Sequence, residues 1–168
     1  MESYKTKLAD IRVFFFDVDG VLTDGKVYIT PDNQIMRSMN TKDGLALKRA
    51  VSQGYRVVII SGGRDENILP RLGYLGITDI YLHTDDKLPV LLDYLKRNNI
   101  PPEQAAYMGD DIPDMAAMKA VGLAACPADA AFQVKDLAHY VSPRKGGEGC
   151  VRDLIEQVLT VNGHWFDL

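Results

Sequence analysis

The run Val13-Phe14-Phe15-Phe16-Asp17-Val18-Asp19-Gly20-Val21 decides the fold. Four bulky apolar residues in succession, with no polar residue at every second place, describe a strand buried on both faces, and such strands belong to parallel sheets covered by helices. Carboxylates and a glycine follow at once, so the strand opens directly into a loop that carries chemistry. The same pattern recurs downstream: residues 11–16, 56–60, 79–82, 105–109 and 123–125 read as strands, and helical periodicity fills the intervals. The clearest helices are 86–98, with Leu88, Leu91, Leu92 and Leu95 on one face, and 150–161, with Val151, Leu154, Ile155, Val158 and Leu159 on one face. Weaker patterns place helices at 44–53, closed by Gly54, and at 64–75, 111–119 and 129–138. Alternation with short connections predicts a doubly wound α/β domain, because parallel neighbours need crossovers. One segment breaks it: 26–39 reads as a β-hairpin with arms 26–30 and 35–39 about Pro31-Asp32-Asn33-Gln34.

The 168 residues, 46% hydrophobic and 25% charged, predict one domain over 1–168, its last parts a C-terminal helix and tail at about 150–168. No apolar run approaches the roughly 20 residues that span a bilayer, and the first twelve residues lack the apolar core of a secretory signal. The net charge of −4, from 19 basic and 23 acidic residues, includes no basic stripe. Neither a membrane nor nucleic acid is an expected partner. Cys126 and Cys150 lie outside any CxxC spacing, which suits a reducing compartment, and His83, His139 and His164 never reach zinc-ligand spacing. The expected location is the cytoplasm. Only 144–149 (RKGGEG) is loop-like enough to be mobile.

In an open parallel sheet ligands bind beyond the carboxyl ends of the strands. Those places hold Asp17 and Asp19; Ser61-Gly62-Gly63; Asp85-Asp86-Lys87; and Gly109-Asp110-Asp111, with Asp114 beyond. If the chain continues extended, Asp17 and Asp19 point the same way, and they can share a site only if a cation offsets their repulsion. Asp110 and Asp111 add to that demand. Oxygen ligands without histidine or cysteine select a hard ion, and Mg2+ suits a site with few carboxylates that also meets a phosphate. Lys87 and Ser61 are natural partners of a phosphoryl group. The pattern predicts phosphate chemistry.

The order DVDGV, a strand ending in Ser, Lys, then GDD with a further Asp resembles the haloacid dehalogenase (HAD) superfamily of aspartate-nucleophile phosphatases. DVDGVLTDG (17–25), NTKDG (40–44), GDDIPD (109–114) and GGEG (146–149) narrow the resemblance to the branch that acts on 3-deoxy-D-manno-octulosonate 8-phosphate and to relatives acting on nonulosonate 9-phosphates. It runs from about residue 11 to 159. It implies a Rossmann-like HAD core with a projecting hairpin and no cap domain, a cytoplasmic homotetramer, Mg2+ as cofactor and a sugar phosphate of lipopolysaccharide biosynthesis as substrate. By the same resemblance Asp17 is the nucleophile, Asp19 the acid and then base, Ser61 a phosphoryl contact and Lys87 the neutralising cation. Magnesium falls to Asp17, the Asp19 carbonyl and Asp110, while Asp111 and Asp114 orient waters or loop backbone from behind. Asp19, Asn40, Thr41, Lys42, Asp43, Gly44, Lys48, Gly63, Arg71 and Lys87 match substrate-binding positions.

Each motif alone has a plainer meaning: a solvated DxD loop, a surface lysine, an N-cap at Asn40, a flexible helix entry at 146–149. Their conjunction in chain order favours the phosphatase. A receiver-like phosphoacceptor domain would carry its acceptor after a later strand and lack an acid two residues on. A catalytically idle module would not need Asp17, Asp19, Lys87 and Asp110 together. One position departs from the resembled pattern: after Ser61-Gly62, eight-carbon enzymes place an arginine and nine-carbon relatives a glutamate, whereas this chain has Gly63 and then Arg64. The expectation is the eight-carbon ester with appreciable nine-carbon activity, Arg64 being able to reach the substrate carboxylate.

Overall fold

A computed structural model describes residues 3–166. A 3-10 helix, Tyr4–Asp10, precedes strand β1, Val13–Phe16, and a tight turn over Val18–Leu22 leads to two short strands, β2, Tyr28–Ile29, and β3, Ile35–Met36. Alternation follows: α1, Thr41–Ser52; β4, Arg56–Ile60; α2, Leu69–Tyr74; β5, Asp79–Tyr81; α3, Lys87–Arg97; β6, Ala105–Met108. It closes with α4, Met115–Lys119; β7, Leu123–Cys126; α5, Phe132–Leu137; β8, Tyr140–Val141; and α6, Cys150–Val161. Six strands form one parallel sheet in the order β5-β4-β1-β6-β7-β8. The chain winds from β1 to one edge, then returns to β6 and winds to the other. The switch between β1 and β6 is where such sheets bind ligands.

Strand periodicity divides the core. Phe14, Phe16, Val57 and Ile59 face a layer built from α1, α2 and α6, while Val13, Phe15, Val58 and Ile60 face α3, α4 and α5. Phe14, Phe15 and Phe16 are wholly buried. At roughly 1.5–3 kcal/mol for each large apolar side chain removed from water, β1 is the anchor of both layers.

Several boundaries differ from those the sequence predicts. Helix α1 begins at Thr41 rather than 44, because the Asn40 side chain accepts from the Lys42 N–H at 2.8 Å and caps it. Gly44 lies inside that helix, where a Cβ would strike the Arg71 guanidinium. The helices expected at 64–75 and 111–119 each open as a 3-10 turn, Glu66–Ile68 and Ile112–Asp114, and 129–138 shrinks to α5. Strand β8 was not expected: two residues are too few for a period. The hairpin pairs only Tyr28 with Met36 and Ile29 with Ile35, since Arg37 leaves the ladder for an ion pair.

The loop expected to be mobile is tied down. The Gly147 N–H donates to Val21 O at 2.9 Å, the Gly146 N–H to Asp129 Oδ1 at 2.9 Å, and the Asn40 amide to Gly147 O at 3.2 Å. A Cβ at Gly146 would overlap the Gly20 carbonyl, so the glycines permit this close approach. Beyond α6 the chain folds back: Arg49 donates to the carbonyls of His164 and Trp165, and Trp165 is buried. Residues 167–168 of the expected tail lie outside the described residues. Among the described residues no helix is long and apolar enough to cross a membrane.

Candidate active site

Strand β1 delivers Asp17 to the sheet edge in an extended conformation, and its Oδ1 accepts from the Val18 N–H at 2.7 Å. The chain does not stay extended. It coils through Val18–Leu22, closed by Thr23 N–H to Val18 O at 3.0 Å, with Gly20 at φ +86°. A Cβ on Gly20 would overlap the Asp110 carboxylate, so this glycine lets the β6 loop approach β1. Through this turn the Asp19 side chain meets Arg37, with Nε to Oδ1 at 2.6 Å, and the cluster of Asp17, Asp110 and Asp114 oxygens does not include it. Asp17 and Asp19 still line one cleft.

Asp114 shapes the β6 loop from behind. Its Oδ2 accepts from the N–H groups of Asp110 and Asp111 at 3.1 and 3.3 Å, and its Oδ1 from Lys87 Nζ at 2.7 Å and Tyr107 Oη at 2.8 Å. Asp111 caps its own turn through the Ile112 N–H. Lys87, at the start of α3, completes the pattern with Nζ 2.9 Å from Asp17 Oδ1. Ser61, after β4, is buried, and its Oγ accepts from the Gly63 N–H at 3.1 Å.

The cluster has more negative charge than its one lysine balances. Oxygens of Asp17, Asp110 and Asp114 all lie within 4.8 Å of one another. Burial, then repulsion from Asp17, Asp114 and Asp111, pushes Asp110 up to about 7. Asp17 is raised to about 6 by burial and then Asp114, against the pull of Lys87. Burial alone would lower the Lys87 ammonium, but Asp17 and Asp114 outweigh it and hold it charged. Asp110 Oδ1 is buried with no hydrogen-bond partner. An oxygen-only donor set with an unpartnered carboxylate oxygen fits a hard divalent cation.

Asp17, Asp19, Ser61, Gly63, Lys87, Asp110, Asp111 and Asp114 thus come together around one cleft of about 400 Å³. The other residues matched to substrate binding lie elsewhere. Asn40 and Lys42 line a separate cavity beside Arg144 and Arg152, Thr41 faces the groove under the hairpin, and Asp43 is buried against the start of α6. Lys48 stands over the Tyr74 ring, and Arg71 flanks Gly44. Arg64 is exposed and does not line the cleft.

Sequence reasoning missed Arg37, Asp65 and Tyr107. A phenol inside an otherwise apolar strand does signal a buried partner, here Asp114. Arg37 had no such signal, being one cation in a hairpin arm.

A nucleophile-grade carboxylate against an ammonium, a hydroxyl beside backbone N–H groups, and a second carboxylate two residues on are the parts of covalent phosphoryl transfer. A family model for haloacid dehalogenase-like hydrolases matches residues 73–154. The 3-deoxy-D-manno-octulosonate 8-phosphate phosphatase KdsC of Yersinia pestis is 37% identical over 91% of this chain and 82% of its own. A crystal structure of the Yersinia pestis phosphatase superposes with a TM-score of 0.93 at 35% identity, covering 96% of this chain and 87% of that one. The Moraxella catarrhalis phosphatase, in complex with magnesium ion, phosphate ion and a KDO molecule, gives a TM-score of 0.90 at 30% identity over 94% of this chain and 90% of that one. The chain belongs to the KdsC family of phosphatases, within the haloacid dehalogenase-like hydrolases.

Proposed function

We propose that this chain hydrolyses 3-deoxy-D-manno-octulosonate 8-phosphate to the free sugar acid and phosphate, with Asp17 as nucleophile. The observation that carries the reading is the contact of Lys87 Nζ with Asp17 Oδ1 at 2.9 Å beside the unpartnered Asp110 oxygen. Lys87 keeps Asp17 ionised and aimed, and offers charge to the phosphoryl oxygens. Ser61 Oγ and the backbone N–H groups after β4 hold a nonbridging oxygen. As the Asp17–phosphorus bond forms and the ester bond breaks, Asp19 gives its proton to the departing sugar oxygen. Asp19 then takes a proton from the water that attacks the aspartyl phosphate, which releases phosphate and restores Asp17. Asp17, the Asp19 carbonyl and Asp110 would hold a magnesium ion, which would supply charge stabilisation to the phosphoryl oxygens. Asp111 and Asp114 fix the backbone behind it.

Among the described residues no segment folds over the cleft as a cap. The exposed hairpin residues Tyr28, Ile29, Ile35 and Met36 support a homotetramer assembled through the hairpins. In it, Asn40, Thr41, Lys42, Lys48 and Arg71, which lie outside their own cleft, serve a neighbouring copy's, while Asp43 and Gly44, buried in α1, act only by holding that helix in place. The cytoplasm suits the two free, buried cysteines, and the partner is a small sugar phosphate rather than nucleic acid or membrane. Phosphate release from eight- and nine-carbon keto-sugar acid phosphates, with and without chelator, tests the reading. Chelator-sensitive turnover of the eight-carbon ester is expected, and preference for a nine-carbon ester moves the assignment to the nonulosonate relatives.

A further inference from the structure

Arg37 leaves the hairpin ladder immediately after β3 and turns its guanidinium into the cleft wall. Its Nε donates to Asp19 Oδ1 at 2.6 Å, its Nη2 reaches Asp19 Oδ2 at 3.3 Å, and its Nη1 donates to Asp65 Oδ2 at 2.9 Å. The guanidinium is nearly buried, with the Arg37 side chain 10% exposed and that of Asp65 15%. Asp65 is itself fixed, because its Oδ1 accepts from the Asn67 N–H at 3.0 Å and caps the turn Glu66–Ile68. A planar fork held between an anchored carboxylate and a working one is a rigid device, since the geometry of one contact sets that of the other. The two Asp19 oxygens are not equivalent in it. Oδ1 receives the short bond, while Oδ2 receives the long one and lies on the side of Gly63 and Ser61, 3.5 Å from where a Cβ at 63 would stand.

We infer that Arg37 is the positioning residue for the acid–base step: it pins Oδ1 of Asp19, so that Oδ2 is the oxygen that exchanges protons with leaving group and water. This rests on the phosphatase reading. In the first step the proton on Oδ2 passes to the sugar oxygen as the phosphorus–oxygen ester bond breaks and the bond to Asp17 forms. In the second a water proton returns to Oδ2 as the water oxygen bonds phosphorus and the Asp17–phosphorus bond breaks. The guanidinium keeps its protons throughout. A carboxyl group that turns freely would offer the wrong oxygen, or none, for part of the time, and misplacement is severely penalised in proton transfer.

The test uses leaving groups. A sugar alkoxide cannot depart without a proton, whereas the nitrophenolate of p-nitrophenyl phosphate can, and kcat/KM reports only the steps up to that departure. Arg37→Met, which keeps the apolar stem, is expected to lower kcat/KM on the sugar phosphate at least tenfold, and on the aryl ester by less than about threefold. Asp65→Asn, which removes the far anchor without touching Asp19, is expected to give a weaker defect of the same unequal kind. In the double variant its effect should largely vanish, because the two act as one unit. Equal losses on both esters would make Arg37 a merely structural residue and overturn the inference. Asp17→Asn separates the two claims: the phosphatase reading requires loss on both esters there, and fails if turnover survives, whatever Arg37→Met does.

Discussion

Lys87 and Asp17 form a buried ion pair, Nζ to Oδ1 at 2.9 Å, with side chains 4% and 11% exposed. Buried pairs of this kind contribute little net stability, because the desolvation of both ions consumes most of their attraction. Here Lys87 also reaches Asp114 at 2.7 Å, so one cation faces two carboxylates and the balance is negative. The arrangement makes sense as preorganisation for a phosphoryl group rather than as a stabilising contact. Asp17→Asn is therefore expected to abolish phosphate release while raising the Tm of the metal-free protein above pH 7, where Asp17, normally about 6, would be charged. Turnover within tenfold of the parent would contradict the nucleophile assignment.

The raised carboxyl groups Asp17, about 6, and Asp110, about 7, set the pH dependence of metal binding. In the absence of a cation the folded state holds these protons more tightly than the unfolded chain does. Its stability from them is therefore present at low pH and lost as pH rises toward 7. A divalent ion reverses the loss by binding the deprotonated forms. Addition of MgCl2 in excess is expected to raise Tm by several degrees at pH 7.5, and by little at pH 5.5. Asp110→Asn should remove the increment. Differential scanning calorimetry in the two buffers checks this, and an increment independent of pH would contradict the carboxylate assignment.

Much of this site was legible because parallel topology does the gathering. Strands β1, β4 and β6 are adjacent, so whatever follows Phe16, Ile60 and Met108 must meet, and Asp17, Ser61 and Asp110 could be placed from apolar runs alone. Lys87 follows from opening the helix after β5. What local pattern could not show depends on where chains cross. The chain coils after Asp17, with Gly20 at positive φ and without a Cβ where Asp110 approaches, and no period announces that. Arg37 finds Asp19 only because a hairpin folds back across β1's end. Likewise, the glycines at 146 and 147 signalled looseness, yet they are small because the turn at 20–24 presses on them.

Asp43, which lies outside the cleft that holds Asp17, offers a second pH test. Its Oδ1 accepts from the Arg152 N–H at 2.7 Å, its Oδ2 is buried without a partner, and burial raises it to about 6 from 3.8 against the pull of the Arg152 and Gly149 N–H groups. Between pH 4 and 6 the folded state keeps the proton that the unfolded chain has released, so this residue makes stability fall across that window. Asp43→Asn retains an acceptor for the α6 N–H groups and removes the buried charge. It is expected to stabilise by about 1–2 kcal/mol at pH 7.5 and by nearly nothing at pH 4. Urea denaturation at the two pH values measures the difference, and equal effects would show that Asp43 is not the titrating group.

Ile29 is 71% exposed and Met36 56%, on strands of only two residues each. Isolated two-stranded ribbons are marginal in water, so such a hairpin needs a covering surface. If the hairpins assemble the proposed tetramer, Ile29→Asp with Met36→Asp is expected to shift the mass seen by light scattering from tetramer to monomer. Activity on the sugar phosphate should fall with it, through KM more than kcat, since the nucleophile stays in its own chain. A parent that is monomeric and fully active at nanomolar concentration would remove the assembly argument.

Gly63 governs how closely the cleft can grip its sugar. A Cβ there would stand 3.2 Å from Ser61 Oγ and 3.5 Å from Asp19 Oδ2, close enough that a longer side chain would fill the wall between the phosphoryl contact and the acid–base carboxylate. With glycine that wall carries no side chain, and the exposed Arg64 does not line it. A site rejects an analogue best through buried polar groups left unpaired, and a bare wall has none to leave. The parent is therefore expected to discriminate between eight- and nine-carbon esters by less than about tenfold in kcat/KM. Arg64→Ala should leave that ratio unchanged. Gly63→Arg should widen it in favour of the shorter ester, because the guanidinium fills space a ninth carbon would use and offers a fork to the substrate carboxylate. It should also lower kcat on the sugar esters, since a second guanidinium beside Asp19 would occupy Oδ2, the oxygen that exchanges protons. A parent already more than a hundredfold selective would show that recognition lies beyond this wall, in residues such as Asn40, Lys48 and Arg71 brought by a neighbouring copy.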